Sequence, residues 1–132
     1  MKQIISSDKA PGRIVPAIGP YSPGVSTGEL IFTAGQIGID PSTGNVVEGG
    51  IQAETRQVLI NVRSILEAAG SSLDAVVKTT VFLRDMNDFA AMNAVYGEFF
   101  GTNPPARSTI AVAGLPRNVA VEIETIALAG KK

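Results

Sequence analysis

Hydrophobic positions follow two different spacings along the chain, and the change falls near residue 50. Before it, short apolar runs alternate with glycine, proline and small polar residues, a pattern typical of strands joined by turns. Residues 29–35 predict a strand. Residues 40–45 predict a turn, since proline presets φ and glycine supplies a left-handed position. We therefore expect an early β-meander in the first fifty residues.

Later segments carry apolar side chains at helical spacing. In residues 51–69 six of them fall on one face, and Gly70 stands where a C-terminal cap belongs. The six are Val58, Leu59, Val62, Ile65, Leu66 and Ala69. A second helix is expected to begin after the N-cap candidates in residues 85–88 and to end at Gly101. Its expected apolar face consists of Phe89, Met92, Tyr96 and Phe99.

Three further strands are expected, at residues 74–84, 107–113 and 119–128. Strands connected through two helices predict an α+β domain, in which a mixed β-sheet carries both helices on one face. In the first of these strands, side chains alternate between the two faces of the sheet, and neither face is polar enough to be exposed to water. One side carries Val77, Val81 and Leu83, and the other carries Val76 and Phe82. The face without helices then needs a cover, either other copies of the chain or a loop.

Composition and charge narrow the class of protein. The chain has 132 residues, 45% of them hydrophobic, and 11 Lys and Arg against 12 Asp and Glu give a formal charge of -1. One domain spanning residues 1–132 is expected. The balanced charge argues against nucleic acid as a partner. No apolar run approaches the roughly 18 residues of a membrane span, and residues 1–9 lack the apolar core of a signal peptide, so we expect a cytoplasmic protein without a membrane partner.

The chain contains no cysteine and no histidine. These absences exclude a disulfide, a thiolate nucleophile, a Ser-His-Asp triad, a histidine-ligated metal and an imidazole base. We expect neither a metal nor a cofactor.

Arg107 is the first candidate for ligand binding. It follows the sequence Pro-Pro-Ala at residues 104–106, a rigid extended lead-in that would fix its direction. Its planar guanidinium group pairs bidentately with a carboxylate, which suits the binding of a small organic acid. An ion pair with an Asp or Glu of the same chain is the alternative.

Three other polar residues are candidates for the same chemistry. Glu122 and Glu124 share one face of the last strand, roughly 6.5 to 7 Å apart along it. In a partly apolar site desolvation raises the pKa of a glutamate and fits it to act as a general base, whereas a solvated strand face is the alternative. Asn93, near the apolar face of the second helix, either ties down a neighbouring loop or binds a ligand.

Several motifs carry a resemblance to a known family. Residues 105–108 (Pro-Ala-Arg-Ser), then Ile110, Leu115 and residues 121–123 (Val-Glu-Ile), resemble the C-terminal signature of the RidA family, also called YjgF, the reactive-intermediate deaminases. Other segments match the pattern of that family in order and spacing. They are residues 17–21, 33–36, 67–70, 77–82 and 87–89, together with Asn93. The resemblance covers nearly the whole chain.

The resemblance implies a chorismate-mutase-like fold, a homotrimer, and ligand sites in clefts between adjacent subunits. It also implies an activity, the hydrolysis of 2-imino or 2-enamino acids, such as 2-iminobutanoate and 2-iminopropanoate, to 2-keto acids and ammonia. Such a deaminase clears reactive intermediates released by pyridoxal-phosphate-dependent dehydratases and thereby limits metabolite damage.

The resemblance also implies roles for individual residues. Arg107 would bind the substrate carboxylate, and Glu122 would manage the attacking water. The pocket would be lined by Tyr21, Gly35, Asn93 and Thr109. The chain departs from the deaminase subgroup at Ala34, where a serine is frequent, and this removes one hydroxyl from the expected site.

Functions of other classes stay open at this level. A non-catalytic sensor of small carboxylates would use Arg107 and would not need Glu122. Members of the family have also been described as translation inhibitors or ribonucleases, but the formal charge of -1, the absence of histidine and the lack of an aromatic stripe argue against RNA. Chorismate mutase shares the implied architecture, and fold analogy alone is a weak argument for function.

Overall fold

The computed structural model describes residues 1–130 and contains a six-stranded mixed sheet with two helices. In chain order the elements are β1 (Gln3–Ile5), β2 (Gly24–Ser26), β3 (Leu30–Thr33), α1 (Gly50–Ala68), β4 (Val76–Leu83), α2 (Phe89–Phe100), β5 (Ala106–Ala111) and β6 (Val121–Leu128). Single 3₁₀ turns lie at Ser7–Lys9, Leu73–Ala75, Met86–Asp88 and Pro116–Asn118. The expected α+β architecture is confirmed.

Strand order in the sheet is β1-β2-β3-β6-β4-β5. β4 and β5 are parallel and are connected through α2, whereas every other pair is antiparallel. The first three strands form the predicted β-meander, although the sequence located only β3 within it. Because β6 inserts between β3 and β4, the last strand of the chain occupies the middle of the sheet.

Helix α1 follows the predicted pattern closely. Its residues Val58, Leu59, Val62, Ile65 and Leu66 are fully buried, and they join residues of β3, β4 and β6 in one core. Gly70 follows the helix with a φ of +81°, the left-handed conformation that glycine adopts without strain. Across residues 1–130, neither α1 nor α2 combines the length and the apolar character that a membrane crossing requires.

Helix α2 has the predicted bounds but a rotated apolar face. Met92 and Tyr96 are buried as expected, and Val95 is buried with them. Phe89, however, is 37% exposed, so its expected place in the core is wrong. The reason is that α2 is apolar almost all round, and periodicity alone then does not define which side meets the sheet. Phe100 is buried at its C-terminal end, and Phe99 is only half-buried.

A β-bulge corrects the expected faces of β4. Val76 pairs with Ala127 and Lys78 with Ile126, so Val77 is an extra residue in the ladder. Val76 is therefore 6% exposed and lies in the core, whereas Val77 is 41% exposed. The expected grouping of Val77 with Val81 and Leu83 is wrong because strict alternation does not allow for an inserted residue.

Both helices pack on the same side of the sheet. That side carries Thr79, Val81 and Leu83 of β4, all of them fully buried. On the opposite side, called here the open face, Phe32 is 40% exposed, Ile110 46% and Leu128 51%. The described residues supply no loop that covers these three side chains. Of the two covers expected from the sequence, a loop is therefore absent from the described residues, and association with other copies stays a prediction.

Candidate active site

Arg107 lies in the edge strand β5, on the side of the sheet that faces α2. The strand register pairs it with Thr79 of β4. Its Nη1 donates a hydrogen bond of 2.7 Å to Oδ1 of Asn93. Its guanidinium carbon lies 4.7 Å from the centre of the Tyr96 ring and 5.5 Å from the centre of the Phe89 ring. Helix α2 therefore supplies both the hydrogen-bond acceptor and the aromatic surfaces that hold this cation.

Arg107 has no carboxylate partner in the described part of the chain. The two ion pairs found in residues 1–130 join Arg13 to Glu67 at 3.0 Å and Arg56 to Glu98 at 2.8 Å. An internal ion pair for Arg107, the alternative that the sequence left open, is therefore wrong for these residues. A half-buried guanidinium group that lacks a counterion suits an anion from outside the chain.

The Asn93 side chain accepts the hydrogen bond from Arg107 rather than tying down a loop. Its other expected role, ligand binding, stays a prediction. The amide fixes one end of the guanidinium fork. The remaining donors of Arg107 are those available to a ligand.

Thr109 follows Arg107 by two residues on the same side of β5, opposite Val81. Its Oγ1 is buried and has no hydrogen-bond partner within residues 1–130. A buried polar group that lacks a partner costs roughly 1–3 kcal/mol, and a ligand oxygen bound beside Arg107 would recover that cost. Thr109 thus lies next to the cation, and its expected place in the lining of the ligand pocket stays a prediction.

Glu122 lies in β6 on the open face, where the register places it opposite Phe82. Its side chain is half-buried. Burial raises the pKa of this carboxyl above its ordinary value of 4.5, and the negative charge of Glu124 raises it further. Glu124 shares the face, as alternation predicted, but is exposed. The environment therefore distinguishes two carboxylates that look equivalent in the sequence.

Gly35 makes room for the Glu122 carboxylate. A Cβ at position 35 would lie 2.7 Å from Cδ of Glu122 and nearer still to Oε2. The segment is held beside β6 because Gln36 and Ile123 exchange backbone hydrogen bonds of 2.9 and 3.1 Å. Glycine at position 35 is thus explained by a close approach, since any side chain would displace the carboxylate.

A cavity of about 280 Å³ opens beside Glu122. Its polar lining is Tyr21, Gln36 and Glu122. The remaining lining residues are Val15, Pro16, Ile18, Ala34, Gly35, Ile37, Ile39 and Pro116. The Tyr21 hydroxyl accepts a hydrogen bond of 3.4 Å from the backbone N–H of Ile18, which ties the rim of the cavity together. A small carboxylic acid with a short apolar side chain fits a space of this size and lining.

The candidate residues fall into two groups on opposite faces of the sheet. Arg107 is in register with Thr79, on the helix side, together with Thr109 and Asn93. Glu122 is in register with Phe82, and Phe82 with Ile110, on the open face. Tyr21 and Gly35 share the cavity of Glu122. A single chain therefore does not bring Arg107 and Glu122 into one cavity.

The described residues contain no group of three or more Asp and Glu side chains that could hold a metal ion. Two residues of the site were missed in their role by the sequence analysis, since Phe89 and Tyr96 were assigned only to the apolar face of α2. A usable signal existed, because residues 89, 93 and 96 recur at intervals of four and three and so share one helix face.

Known proteins match this chain over nearly its full length. A RutC family protein from Pyrococcus horikoshii is 54% identical over 127 residues, which are 96% of this chain and 98% of that protein. Human 2-iminobutanoate/2-iminopropanoate deaminase is 47% identical over 130 residues, 98% of this chain and 92% of that protein. The crystal structure of E. coli TdcF with bound serine has a TM-score of 0.89 at 43% identity, and the match covers 97% of this chain and 99% of that one.

The family model described as Endoribonuclease L-PSP matches residues 12–129. This match and the similarity to full-length relatives agree with the resemblance drawn from the motifs around Arg107 and Glu122. The chain therefore belongs to the endoribonuclease L-PSP family, known also as the RidA/YjgF family.

Proposed function

We propose that this protein is an imine deaminase that hydrolyses 2-imino acids, such as 2-iminobutanoate and 2-iminopropanoate, to 2-keto acids and ammonia. The observation that carries the proposal is Arg107, a half-buried guanidinium group without a carboxylate partner in residues 1–130. Every 2-imino acid and every 2-keto acid presents a carboxylate to such a group. Relatives at 47% and 48% identity, from human and from Salmonella typhimurium, carry the name of this activity.

The reaction needs little from the protein beyond positioning and one proton acceptor. The imine carbon is already electrophilic, so water can attack it directly. When water attacks the protonated imine, a C–O bond forms, the π electrons of the C=N bond move to nitrogen, and Glu122 accepts one proton from the water. Glu122 then returns this proton to the nitrogen, the C–N bond breaks as the C=O bond forms, ammonia leaves, and the hydroxyl proton passes to solvent. The raised pKa of Glu122 suits both steps, because a weaker acid is a better proton acceptor and can still return the proton.

The complete site requires two copies of the chain. Arg107 and Glu122 lie on opposite faces of one sheet, so a substrate held by both must sit between subunits. We place the Arg107 side of one subunit against the Glu122 cavity of its neighbour, in a homotrimer of chorismate-mutase-like subunits. The exposed apolar side chains of the open face support this assembly, since Phe32, Ile110 and Leu128 gain cover when copies associate.

The cellular role follows from the chemistry. Dehydratases that use pyridoxal phosphate release enamines and imines, and a deaminase that meets these intermediates in the cytoplasm limits the damage they cause. Nucleic acid and membranes are not among the partners we propose. The balanced charge of the chain and the absence of histidine argue against a ribonuclease activity, although the family is named for an endoribonuclease.

A coupled assay tests the proposal. Threonine dehydratase generates 2-iminobutanoate, release of the keto acid is followed over time, and the spontaneous hydrolysis in buffer is subtracted. The protein should accelerate release, and Glu122→Gln should lose about 10²- to 10⁴-fold of that excess. Glu124→Gln is the matched control, because Glu124 shares the face but is exposed.

Each result of this assay is informative. If the protein binds 2-oxobutanoate but gives no excess rate, a carboxylate sensor replaces the deaminase. If Glu122→Gln and Glu124→Gln lose equal activity, the effect belongs to the charge of the open face and not to proton transfer by Glu122.

A further inference from the structure

Three side chains of α2 form one stripe against Arg107. Phe89, Asn93 and Tyr96 are spaced by four and three residues, so they point to the same side of the helix. Asn93 bonds Nη1, and the rings of Phe89 and Tyr96 lie within 5.5 Å of the guanidinium carbon. Such distances are within the range of a cation–π contact. A single helix therefore supports the Arg107 side chain along its length.

Tyr96 is the most rigid member of the stripe. It is buried, and its hydroxyl group shares a 2.7 Å hydrogen bond with Oγ1 of Thr79, which is itself fully buried. Its ring packs against Phe100, with 4.8 Å between the ring centres. Burial raises the pKa of Tyr96, while Thr79 and the charge of Arg107 partly oppose this, so the hydroxyl stays protonated at neutral pH. The ring thus has a fixed place before any ligand arrives.

A long arginine side chain has many rotamers, and each contact that fixes it in advance reduces the entropy that ligand binding must overcome. Asn93 fixes one nitrogen but leaves rotation about that bond. The rigid Tyr96 ring, whose centre lies 4.7 Å from Cζ of Arg107, restricts this rotation. A guanidinium group that turns away from the ring loses the cation–π attraction. Arg107 is consequently held without a carboxylate that would compete with the substrate.

We propose that Tyr96 is a positioning residue, whose ring orients the guanidinium group of Arg107 so that the donors not used by Asn93 face the substrate carboxylate. The inference rests on the proposed function, since it takes Arg107 to be the carboxylate clamp. Tyr96 itself does not touch the substrate. Its contribution is transmitted through Arg107 and is therefore specific to ligands that carry the carboxylate.

Three variants separate this role from simple packing. Tyr96→Leu removes the ring, and Tyr96→Phe retains the ring without the hydroxyl. Ile31→Ala, the control for packing, truncates a fully buried side chain of β3, which β6 and β4 separate from β5. Affinity is measured by calorimetry for 2-oxobutanoate and for 2-oxobutanamide, which lacks the negative charge. KM and kcat are measured with 2-iminobutanoate, and thermal unfolding reports the packing loss of each variant.

We expect Tyr96→Leu to weaken 2-oxobutanoate binding, and to raise KM, by about threefold to thirtyfold. Its affinity for 2-oxobutanamide should change much less, and Tyr96→Phe should restore most of the loss. Ile31→Ala should lower the unfolding temperature with KM changed by less than about twofold.

Two results would overturn the inference. One is an unchanged affinity of Tyr96→Leu for 2-oxobutanoate. The other is an equal loss of affinity for both ligands, or an equal loss in Ile31→Ala, which would indicate packing alone. Failure of the proposed function looks different. In that case the unmodified protein gives no excess imine hydrolysis, whereas the comparison of 2-oxobutanoate with 2-oxobutanamide still reports on Tyr96 and Arg107.

Discussion

Replacing Gly35 by alanine should disable the site with little effect on the fold. A Cβ at this position would lie 2.7 Å from Cδ of Glu122, whereas carbon atoms in contact prefer about 3.5 to 4.0 Å. The carboxylate must therefore withdraw by roughly 1 Å. Because the nearest atoms belong to the flexible end of one side chain, movement of Glu122 relieves the clash more readily than movement of the backbone does.

A displacement of that size at a reacting group costs on the order of 10²-fold in rate. We expect Gly35→Ala to lower kcat for 2-iminobutanoate by about this factor. KM should change little, since Arg107 still binds the carboxylate. Gly114→Ala is the matched control, because a Cβ there meets no atom within 4 Å. Its kcat and unfolding temperature should both stay close to those of the unmodified protein.

The assay combines the dehydratase-coupled rate with thermal unfolding. The reasoning is refuted if Gly35→Ala keeps kcat within about threefold while Glu122→Gln loses it, because the carboxylate would then tolerate the displacement. If the unfolding temperature of Gly35→Ala falls steeply while that of Gly114→Ala does not, the backbone has moved instead of Glu122. That outcome contradicts the prediction that the Glu122 side chain moves more readily than the backbone.

Further predictions concern the clamp, the proton acceptor and the assembly. Arg107→Lys should reduce kcat/KM by roughly tenfold to a hundredfold or more at normal stability, because a point charge lacks the planar fork; near-normal turnover would remove Arg107 from this role. Activity should fall as pH falls through the pKa of Glu122, at an inflection above 4.5, since only the ionised form accepts a proton. Glu124→Gln removes a repelling charge and should shift this inflection to lower pH; no shift would mean that burial alone sets the pKa. Sedimentation should show three times the mass of one chain at nanomolar concentration, and a stable, active monomer would contradict the site between subunits.

The sequence predicts elements well where one interaction dominates. In α1 the apolar stripe meets a single core, and Gly70 ends the helix, so periodicity was sufficient. In α2 nearly every side is apolar, and the orientation depends on contacts with α1, β4 and β5 that no local pattern contains. The bulge at Val77 is similar, because it is visible only when β4 is paired with β6.

The candidate site, too, could be predicted from the sequence only in part. The motif around Arg107 and Glu122 identified the family of the chain, but the sequence does not show the order of the strands. Once β6 lies between β3 and β4, register alone places Glu122 beside Phe82 and Arg107 beside Thr79, on opposite faces. The rings beside Arg107 were only partly predictable, since the spacing of Phe89, Asn93 and Tyr96 places them on one helix face but does not show that this face meets Arg107.

The placement of Arg107 and Glu122 on opposite faces has a genetic consequence. In the proposed homotrimer each chain lends its arginine to one site and its glutamate to another. A chain that lacks only Arg107 disables one of the three sites, and a chain that lacks both residues disables two. Two alleles, each defective in a different one of these residues, would therefore restore working sites when their products assemble together, because some sites would receive both intact residues from different chains.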